Sequence, residues 1–338
     1  MTHGEVARES AATRTKGESA RPDSQMQDVL DQLASLGGKP IETLTAVEAR
    51  RQPTPADAVQ HLLVEQGMSA EPPPGVTLSH IEIPGAAGSS MATNVYTPPG
   101  AGGPFPVVVY FHGGGWVIAD KDVYDGGARA LATLANAVVV SPNYRVAPEN
   151  KFPAAHDDAI AAYEWAIDHA ASIGGDPARL ALAGESAGGN LAVATAIAAR
   201  DRGLRMPLAV VSVYPIATGG TSSASYDENV NAKPLNRAMM AWFFDKYVRS
   251  PSDLNDPRID LVSARLDGLP PVTVINAQID PLRSDGELLA VLLQREGVPT
   301  EQKTFAGVTH EFFGMGAVVD RAKEAEEMAG RALRRAFG

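Results

Sequence analysis

Short apolar runs alternate with amphipathic stretches over most of the chain. The apolar runs predict strands at 107–111, 137–141, 179–183, 208–214 and 271–276, with a more polar strand, 300–305, last. Stretches with helical spacing lie at about 124–136, 153–172, 187–203, 285–297 and 318–336. Strands that are apolar throughout, in regular alternation with helices, are typical of a parallel sheet covered on both faces. The pattern therefore predicts an α/β protein with a mostly parallel sheet.

Two segments depart from this alternation. Residues 26–70 have a helical pattern with a Pro-rich break, and residues 217–262 form an excursion too long for a simple connection, with an apolar helix, NRAMMAWFFDKYV. We expect both segments to form a helical cap over the carboxyl edge of the sheet. Residues 71–216 and 263–338 would form the α/β domain, and the polar residues 1–25 a flexible tail.

Composition and charge exclude several classes of function. The chain has 338 residues and a formal net charge of −11, without a dense Lys/Arg cluster, which argues against a nucleic-acid partner. It has no cysteine, which excludes disulfides, Cys-ligated zinc, Fe–S clusters and a cysteine nucleophile. The N-terminal stretch has no apolar signal region, and no run approaches the roughly 18 apolar residues that span a bilayer. We expect a cytoplasmic protein without stable membrane insertion.

A serine stands at the corner between a predicted strand and a predicted helix. The segment Gly184-Glu185-Ser186-Ala187-Gly188 matches the pattern G-x-S-x-G. A strand that turns at once into a helix strains the central residue, so its neighbours two positions away must be small. The helix N-terminus adds the positive end of a dipole. Taken alone, the motif fits a nucleophile and a plain structural corner equally well.

A serine nucleophile needs a base and an acid that orients the base. On folds built on this corner the chain order is serine, acid, histidine. Of the seven histidines only His310 follows Ser186. Among the acids between them, Asp280 alone comes directly after a strong apolar strand, before a proline that forces a turn. Asp285 begins the next helix and is the reserve candidate, better suited to a helix N-terminus.

Three glycines, residues 113–115, follow the strand VVVYF in the stretch HGGGW. Glycines at a strand end let backbone N–H groups approach an anion. Neither the phosphate-loop pattern nor the dinucleotide fingerprint is present here. We therefore interpret the anion as the oxygen of a tetrahedral intermediate, which preorganised N–H donors stabilise.

Together the motifs HGGGW, GESAGG, DPLRSD and GVTHEF, with NYRVAPENKFPAAHDD after the first, resemble the hormone-sensitive-lipase-like family of α/β-hydrolase carboxylesterases. The resemblance runs from about residue 76 to the C-terminus. It implies an eight-stranded, mostly parallel sheet with a helical cap. It also implies Ser186 as nucleophile, His310 as base and Asp280 as orienting acid.

The same resemblance implies an oxyanion hole made by the backbone N–H groups of Gly114, Gly115 and Ala187, with Gly113 as the less favoured donor. It implies a structural role for His112. The sequence departs from the family in two places: Glu185 stands where many relatives have Asp, and DPLRSDG lacks the acid that often follows the arginine. These departures concern the subgroup and not the triad.

The predicted activity is hydrolysis of short- to medium-chain carboxylic esters through an acyl-enzyme, without a metal or organic cofactor. The partner is a small-molecule ester, and a homodimer is left open. Trp116, Met240 and Phe243 are candidates for the substrate pocket, with ordinary packing as the alternative. Two other functions stay open: the same triad acting on an amide, peptide or thioester, and a non-catalytic binder on the same scaffold.

Overall fold

Eight strands form one sheet in the computed structural model, which describes residues 20–100 and 102–338. The strands are β1 Thr77–Pro84, β2 Ser90–Thr97, β3 Phe105–Phe111, β4 Val138–Pro142, β5 Gly175–Glu185, β6 Val210–Val213, β7 Val272–Ile279 and β8 Thr300–Thr309. Their order is β1-β2-β4-β3-β5-β6-β7-β8. The pairs β1–β2 and β2–β4 are antiparallel and the other five are parallel. The predicted eight-stranded, mostly parallel sheet is confirmed.

Helices cover both faces of this sheet. They are α1 Ser24–Ser35, α2 Ala46–Ala49, α3 Pro55–Glu65, α4 Asp125–Ala135, α5 Ala154–His169, α6 Ala187–Arg202, α7 Ala224–Glu228, α8 Arg237–Tyr247, α9 Arg283–Arg295 and α10 Asp320–Phe337. Neighbouring residues of the central strand β3 pack into opposite layers, because side chains alternate along a strand. Val107 and Val109 belong to the layer with α5 and α6, whereas Val108 and Tyr110 belong to the layer with α4 and α10. All four are fully buried.

Some boundaries differ from the sequence pattern. Strand β5 begins at Gly175, four residues before the apolar run, and β8 continues to Thr309. Gly307 has φ +76°, which interrupts the strand pattern, yet Thr309 still pairs with Ile279 of β7. Helix α1 begins at Ser24 with Asp23 as its N-cap, within the predicted tail 1–25. Residues 1–19 of that tail lie outside the described residues.

The N-terminal segment and the 217–262 segment contact each other. The indole Nε1 of Trp242, on α8, donates a hydrogen bond of 3.1 Å to the carbonyl of Leu44. The N-terminal segment also contacts the α/β core, since Nε of Arg50 donates to the carbonyl of Val117, and the N–H of Asp23, just before this segment, donates to the carbonyl of Gly307 in β8. The two segments predicted to form a cap are therefore joined to each other and to the α/β core.

Candidate active site

Ser186 occupies a strained corner between β5 and α6. Its φ is 56° and its ψ is −116°, outside the regions that non-glycine residues ordinarily adopt. The flanking glycines are required by close backbone contacts. A Cβ on Gly184 would lie 2.2 Å from the carbonyl oxygen of Gly188, and one on Gly188 would lie 1.9 Å from that of Phe111. The G-x-S-x-G spacing thus follows from the packing of this corner against β3.

Ser186, His310 and Asp280 come together from three different strand ends. The Nε2 atom of His310 lies 3.0 Å from Oγ of Ser186, and its Nδ1 lies 2.7 Å from Oδ2 of Asp280. The other oxygen of Asp280 accepts a hydrogen bond of 2.8 Å from the N–H of Leu282. A proton on Nδ1 is therefore held by the carboxylate, and Nε2 is left to accept the serine proton.

His310 is a buried histidine whose pKa is nevertheless raised. Burial disfavours the imidazolium and lowers the pKa, but the negative charge of Asp280 and its hydrogen bond raise it, and the net direction is upward. Asp280 itself is fully buried. A raised pKa makes the imidazole a stronger base, which suits it to receive a proton from a hydroxyl group.

Asp285, the reserve acid, serves a different contact. Its Oδ2 accepts hydrogen bonds from the hydroxyl and N–H of Thr218 and from the N–H of Ala217. Burial raises its pKa to about 7. The structure thus places Asp280, and not Asp285, beside His310, and Asp285 fastens the chain that follows β6.

The glycine loop after β3 has backbone geometry that needs glycine. Gly114 has φ +95° and Gly115 has φ +58°. A Cβ on Gly114 would lie 2.1 Å from the carbonyl oxygen of Ile118, and one on Gly115 would lie 2.3 Å from the ring of Phe243. Within the described part of the chain, the backbone N–H groups of residues 113–115 have no hydrogen-bond acceptor. Ala187 is the first residue of α6, where a backbone N–H has no acceptor within the helix. They are free to bind an oxyanion.

His112 lies fully buried beneath this loop. Its ring stacks on Tyr144, with centroids 4.1 Å apart, and its Nδ1 lies 2.9 Å from the carbonyl of Gly113. Burial lowers its pKa to about 4, so the imidazole is neutral near pH 7. These contacts support the predicted role in holding the loop.

A cavity of about 450 Å³ lies between the N-terminal helices, the chain around residues 118–124 and residues 233–239. Its wall includes Leu30, Ile41, Ile118, Tyr124, Leu235 and Met239. Glu311, next to His310, also lines it, whereas Ser186 and His310 do not. The cavity therefore reaches the residue that follows His310 but not the serine–histidine pair itself.

The three predicted pocket residues lie in the packed layer next to this cavity and not in its wall. Trp116 is fully buried and stacks on Tyr247, with centroids 4.4 Å apart. Met240 is buried, and Phe243 packs on Gly115. On α8 it is Met239 that faces the cavity.

Glu185 is a buried acid that sequence reasoning treated only as a departure from the family pattern. The hydroxyls of Tyr110 and Tyr214 donate hydrogen bonds to its two carboxyl oxygens. Burial raises its pKa to about 8. The ring of Tyr214 lies 4.5 Å from that of His310. The position directly before the serine was the available signal.

Asn190 is a second residue whose role the sequence did not reveal. Its Nδ2 donates to the carbonyls of Ile216, at 2.9 Å, and Ile259, at 3.0 Å, at the two ends of the 217–262 segment. Its Oδ1 accepts from Nε2 of His156 at 3.0 Å. One amide on the first turns of α6 therefore joins both ends of that segment to the helix that begins after Ser186.

Over residues 20–100 and 102–338, no group of three or more His, Asp or Glu side chains is arranged to hold a metal ion. In the same ranges no helix is both long and apolar enough to cross a membrane.

Comparison with known proteins agrees with this geometry. A sequence profile of the family described as alpha/beta hydrolase fold matches residues 108–314. The carboxylesterase NlhH of Mycobacterium tuberculosis is 39% identical over 253 residues, which cover 74% of this chain and 79% of that protein. The ethyl acetate hydrolase of Pseudomonas putida is 32% identical over 87% of this chain and 91% of its own.

The fold is also shared with solved structures. An esterase of Pyrobaculum calidifontis superposes with a TM-score of 0.83 at 36% identity, covering 94% of this chain and 100% of that one. A thermostable esterase of Pseudomonas putida superposes with a TM-score of 0.86 at 29% identity, over 96% of this chain and 99% of that one. The chain therefore belongs to the hormone-sensitive-lipase-like family of the α/β-hydrolase fold and is an enzyme of the carboxylic ester hydrolase class.

Proposed function

We propose that the protein hydrolyses short- to medium-chain carboxylic esters through an acyl-enzyme on Ser186. The observation that carries the proposal is the chain of contacts from Ser186 Oγ to His310 Nε2, 3.0 Å, and from His310 Nδ1 to Asp280 Oδ2, 2.7 Å. This arrangement is the one that activates a serine hydroxyl for acyl transfer.

In the first half-reaction Oγ of Ser186 bonds to the ester carbonyl carbon while Nε2 of His310 takes the hydroxyl proton. The carbonyl oxygen becomes an oxyanion, which the backbone N–H groups of Gly114, Gly115 and Ala187 receive. When the intermediate collapses, the bond to the alcohol oxygen breaks and His310 returns the proton to it. The product is a free alcohol and an acyl-serine.

In the second half-reaction water attacks the acyl-serine. Nε2 of His310 accepts a proton from the water, and the second oxyanion occupies the same N–H groups. Collapse releases the carboxylic acid and restores the hydroxyl of Ser186. Throughout, Asp280 keeps the proton of His310 on Nδ1 and stabilises the imidazolium that forms.

The cavity beside the site supports the acyl-chain preference. Its volume of about 450 Å³ and its apolar wall of Leu30, Ile118 and Met239 fit a small ester. The relative named ethyl acetate hydrolase agrees with a short chain.

The test combines covalent labelling with an ester panel. A fluorophosphonate probe should label the wild-type protein, and the label should be lost in Ser186→Ala and His310→Ala. The exposed residues Ser222 and His61 provide the matched controls Ser222→Ala and His61→Ala, which should label normally. A p-nitrophenyl ester series from acetate to palmitate should peak at or below about eight carbons.

Three results contradict parts of the proposal. Labelling that persists in Ser186→Ala excludes this serine as the nucleophile. A maximum on long acyl chains excludes the small-ester substrate. Faster turnover of matched amides or thioesters than of esters assigns the triad to a different acyl group.

A further inference from the structure

Arg50, at the end of α2 in the N-terminal segment, uses its guanidinium group to bind the loop that carries the oxyanion glycines. Its Nε donates a hydrogen bond of 2.9 Å to the carbonyl of Val117, and its Nη2 donates one of 2.7 Å to the carbonyl of Ala147. The same group forms a two-pronged pair with the carboxylate of Glu149, at 2.9 and 2.6 Å. One side chain thus binds four acceptor atoms on three residues that lie 67 to 99 positions away in sequence.

Val117 and Ala147, the residues that provide these carbonyls, are hydrogen-bonded through their own N–H groups to the glycine loop and to Trp116 beside it. The N–H groups of Val117 and Ile118 donate to the carbonyl of Gly114, at 3.0 and 2.9 Å. The N–H of Ala147 donates to the carbonyl of Trp116 at 2.8 Å. Holding the carbonyls of Val117 and Ala147 therefore fixes the turn 114–118 from its outer side.

Two other contacts hold the neighbouring part of the glycine loop, residues 112–115. The hydroxyl of Tyr144 donates to the carbonyl of His112 at 2.8 Å, and the ring of Phe243 packs against Gly115. Neither reaches the carbonyls of Val117 and Ala147. Arg50 is the cationic side chain that binds them.

The contacts to the carbonyls matter more than the ion pair. The Glu149 side chain is 50% exposed, and ion pairs in such surroundings contribute little because water screens them. The hydrogen bonds to Val117 and Ala147 are partly buried and come from a charged donor, which makes them stronger than neutral ones. The planar guanidinium reaches both carbonyls at once, whereas a lysine ammonium is a single compact charge.

We propose that Arg50 is a positioning residue for the oxyanion hole, so that the N-terminal segment forms part of the catalytic machinery. It acts on the reacting atoms only through Val117 and Ala147, although its side chain also lines the cavity proposed for the ester. The inference rests on the proposed function, because it assumes that the N–H groups of Gly114 and Gly115 receive the oxyanion.

The experiment compares Arg50→Ala and Arg50→Lys with Arg51→Ala. Arg51 is the neighbouring arginine, is exposed, and has no side-chain hydrogen bond or ion pair among the described residues, so it is the matched control. Active-site titration with a fluorophosphonate normalises every rate to folded enzyme. Both Arg50 variants should lower kcat on p-nitrophenyl butyrate, Arg50→Ala by roughly 10²-fold, as expected when catalytic groups are misplaced by about 1 Å. Because Arg50 also lines the cavity, KM can rise as well, and a change confined to KM would overturn the positioning role.

Inhibition by a trifluoromethyl ketone provides the readout that a structural role would not move. This inhibitor forms a tetrahedral adduct with the serine and places an oxyanion at the same N–H groups. Its affinity should fall in the Arg50 variants by the same factor as kcat/KM. Glu149→Gln, which leaves the two carbonyl contacts in place, should lower kcat much less than Arg50→Ala.

The outcomes separate this inference from the proposed function. If wild-type protein turns over esters and Arg50→Lys matches Arg51→Ala in kcat and in ketone affinity, the positioning role is excluded. The same holds if Arg50→Ala lowers only the titratable fraction and not the rate per titrated site. If the wild-type protein hydrolyses no ester and Ser186 is not labelled, the proposed function itself fails.

Discussion

Replacing Glu185 with glutamine tests how much the buried acid before the nucleophile lowers the free energy of unfolding at alkaline pH. The side chain is 1% exposed, and among residues 20–100 and 102–338 the hydroxyls of Tyr110 and Tyr214 are the groups that donate to its oxygens. Glutamine keeps the size and the acceptor oxygen but has no proton to lose. The substitution therefore removes the titration and leaves the packing of the corner in place.

The sign and the size follow from the pKa. Burial raises the pKa of Glu185 from 4.5 to about 8, so the folded state retains a proton that the unfolded chain releases above pH 4.5. The stability that this group provides is complete below pH 4.5 and is lost as the pH rises towards 8. At 1.36 kcal/mol for each pKa unit the loss is about 5 kcal/mol.

Urea unfolding followed by tryptophan fluorescence, at pH 5 and at pH 9, measures the effect. Between pH 5 and pH 9 the free energy of unfolding of the wild type should fall further than that of Glu185→Gln, by most of the roughly 5 kcal/mol. Burial raises the pKa of Asp285 to about 7, and the resulting loss of stability is common to both proteins and cancels. Glu311 and Glu326 also have raised pKa values and their charges raise that of Glu185, so removal of the Glu185 charge reduces their shifts and adds to the difference. Glu296→Gln, at an exposed carboxylate, should follow the wild type. Parallel pH profiles of wild type and Glu185→Gln would refute the reasoning.

The remaining predictions concern the triad, the serine corner and the base of the 217–262 segment. The kcat/KM profile should lose activity as the pH falls through a His310 pKa that lies above 6.5, and Asp280→Asn should lower kcat by about 10⁴-fold and move this acid limb to lower pH; an acid limb that stays in place in Asp280→Asn contradicts the assignment. Gly188→Ala should abolish fluorophosphonate labelling of Ser186, because its Cβ would lie 1.9 Å from a backbone oxygen, whereas Gly220→Ala has open space and should label normally; equal labelling of both would show that the corner relaxes. Asn190→Ala leaves the carbonyls of Ile216 and Ile259 unpaired and should lower the free energy of unfolding by about 1–3 kcal/mol for each, measured by urea denaturation; an unchanged midpoint would mean that water replaces the amide.

The parts of the site that follow from chain order were predictable. Apolar runs identified the parallel strands, and the carboxyl ends of parallel strands meet at one edge of a sheet, so Ser186, Asp280 and His310 could be expected together. His310 needed no comparison, since it is the only histidine after Ser186. Glycines 114 and 115 stood out because three glycines in succession after a strand are unusual.

The contacts that cross between distant segments were not predictable. Arg50 and Glu149 are 99 positions apart and each lies in a polar stretch with many charged neighbours. On α8 the sequence has large apolar side chains on every side, so periodicity does not say that Met239 reaches the cavity while Met240 and Phe243 face the packed layer. The raised pKa of Glu185 comes from its burial, and the sequence does not show that this side chain is buried against two tyrosines.

The hydrogen bonds of the Asn190 amide affect which changes in length the 217–262 segment can tolerate. Because the carbonyls of Ile216 and Ile259 meet at one side chain, the intervening chain leaves and re-enters the core at a single point. For a loop whose ends are joined, the entropic cost of extra residues grows only with the logarithm of its length. Insertions and deletions between these two points that leave α8 in place, with Phe243 on Gly115 and Tyr247 on Trp116, should therefore have little effect on the sheet, and substrate range can change while the serine corner stays the same.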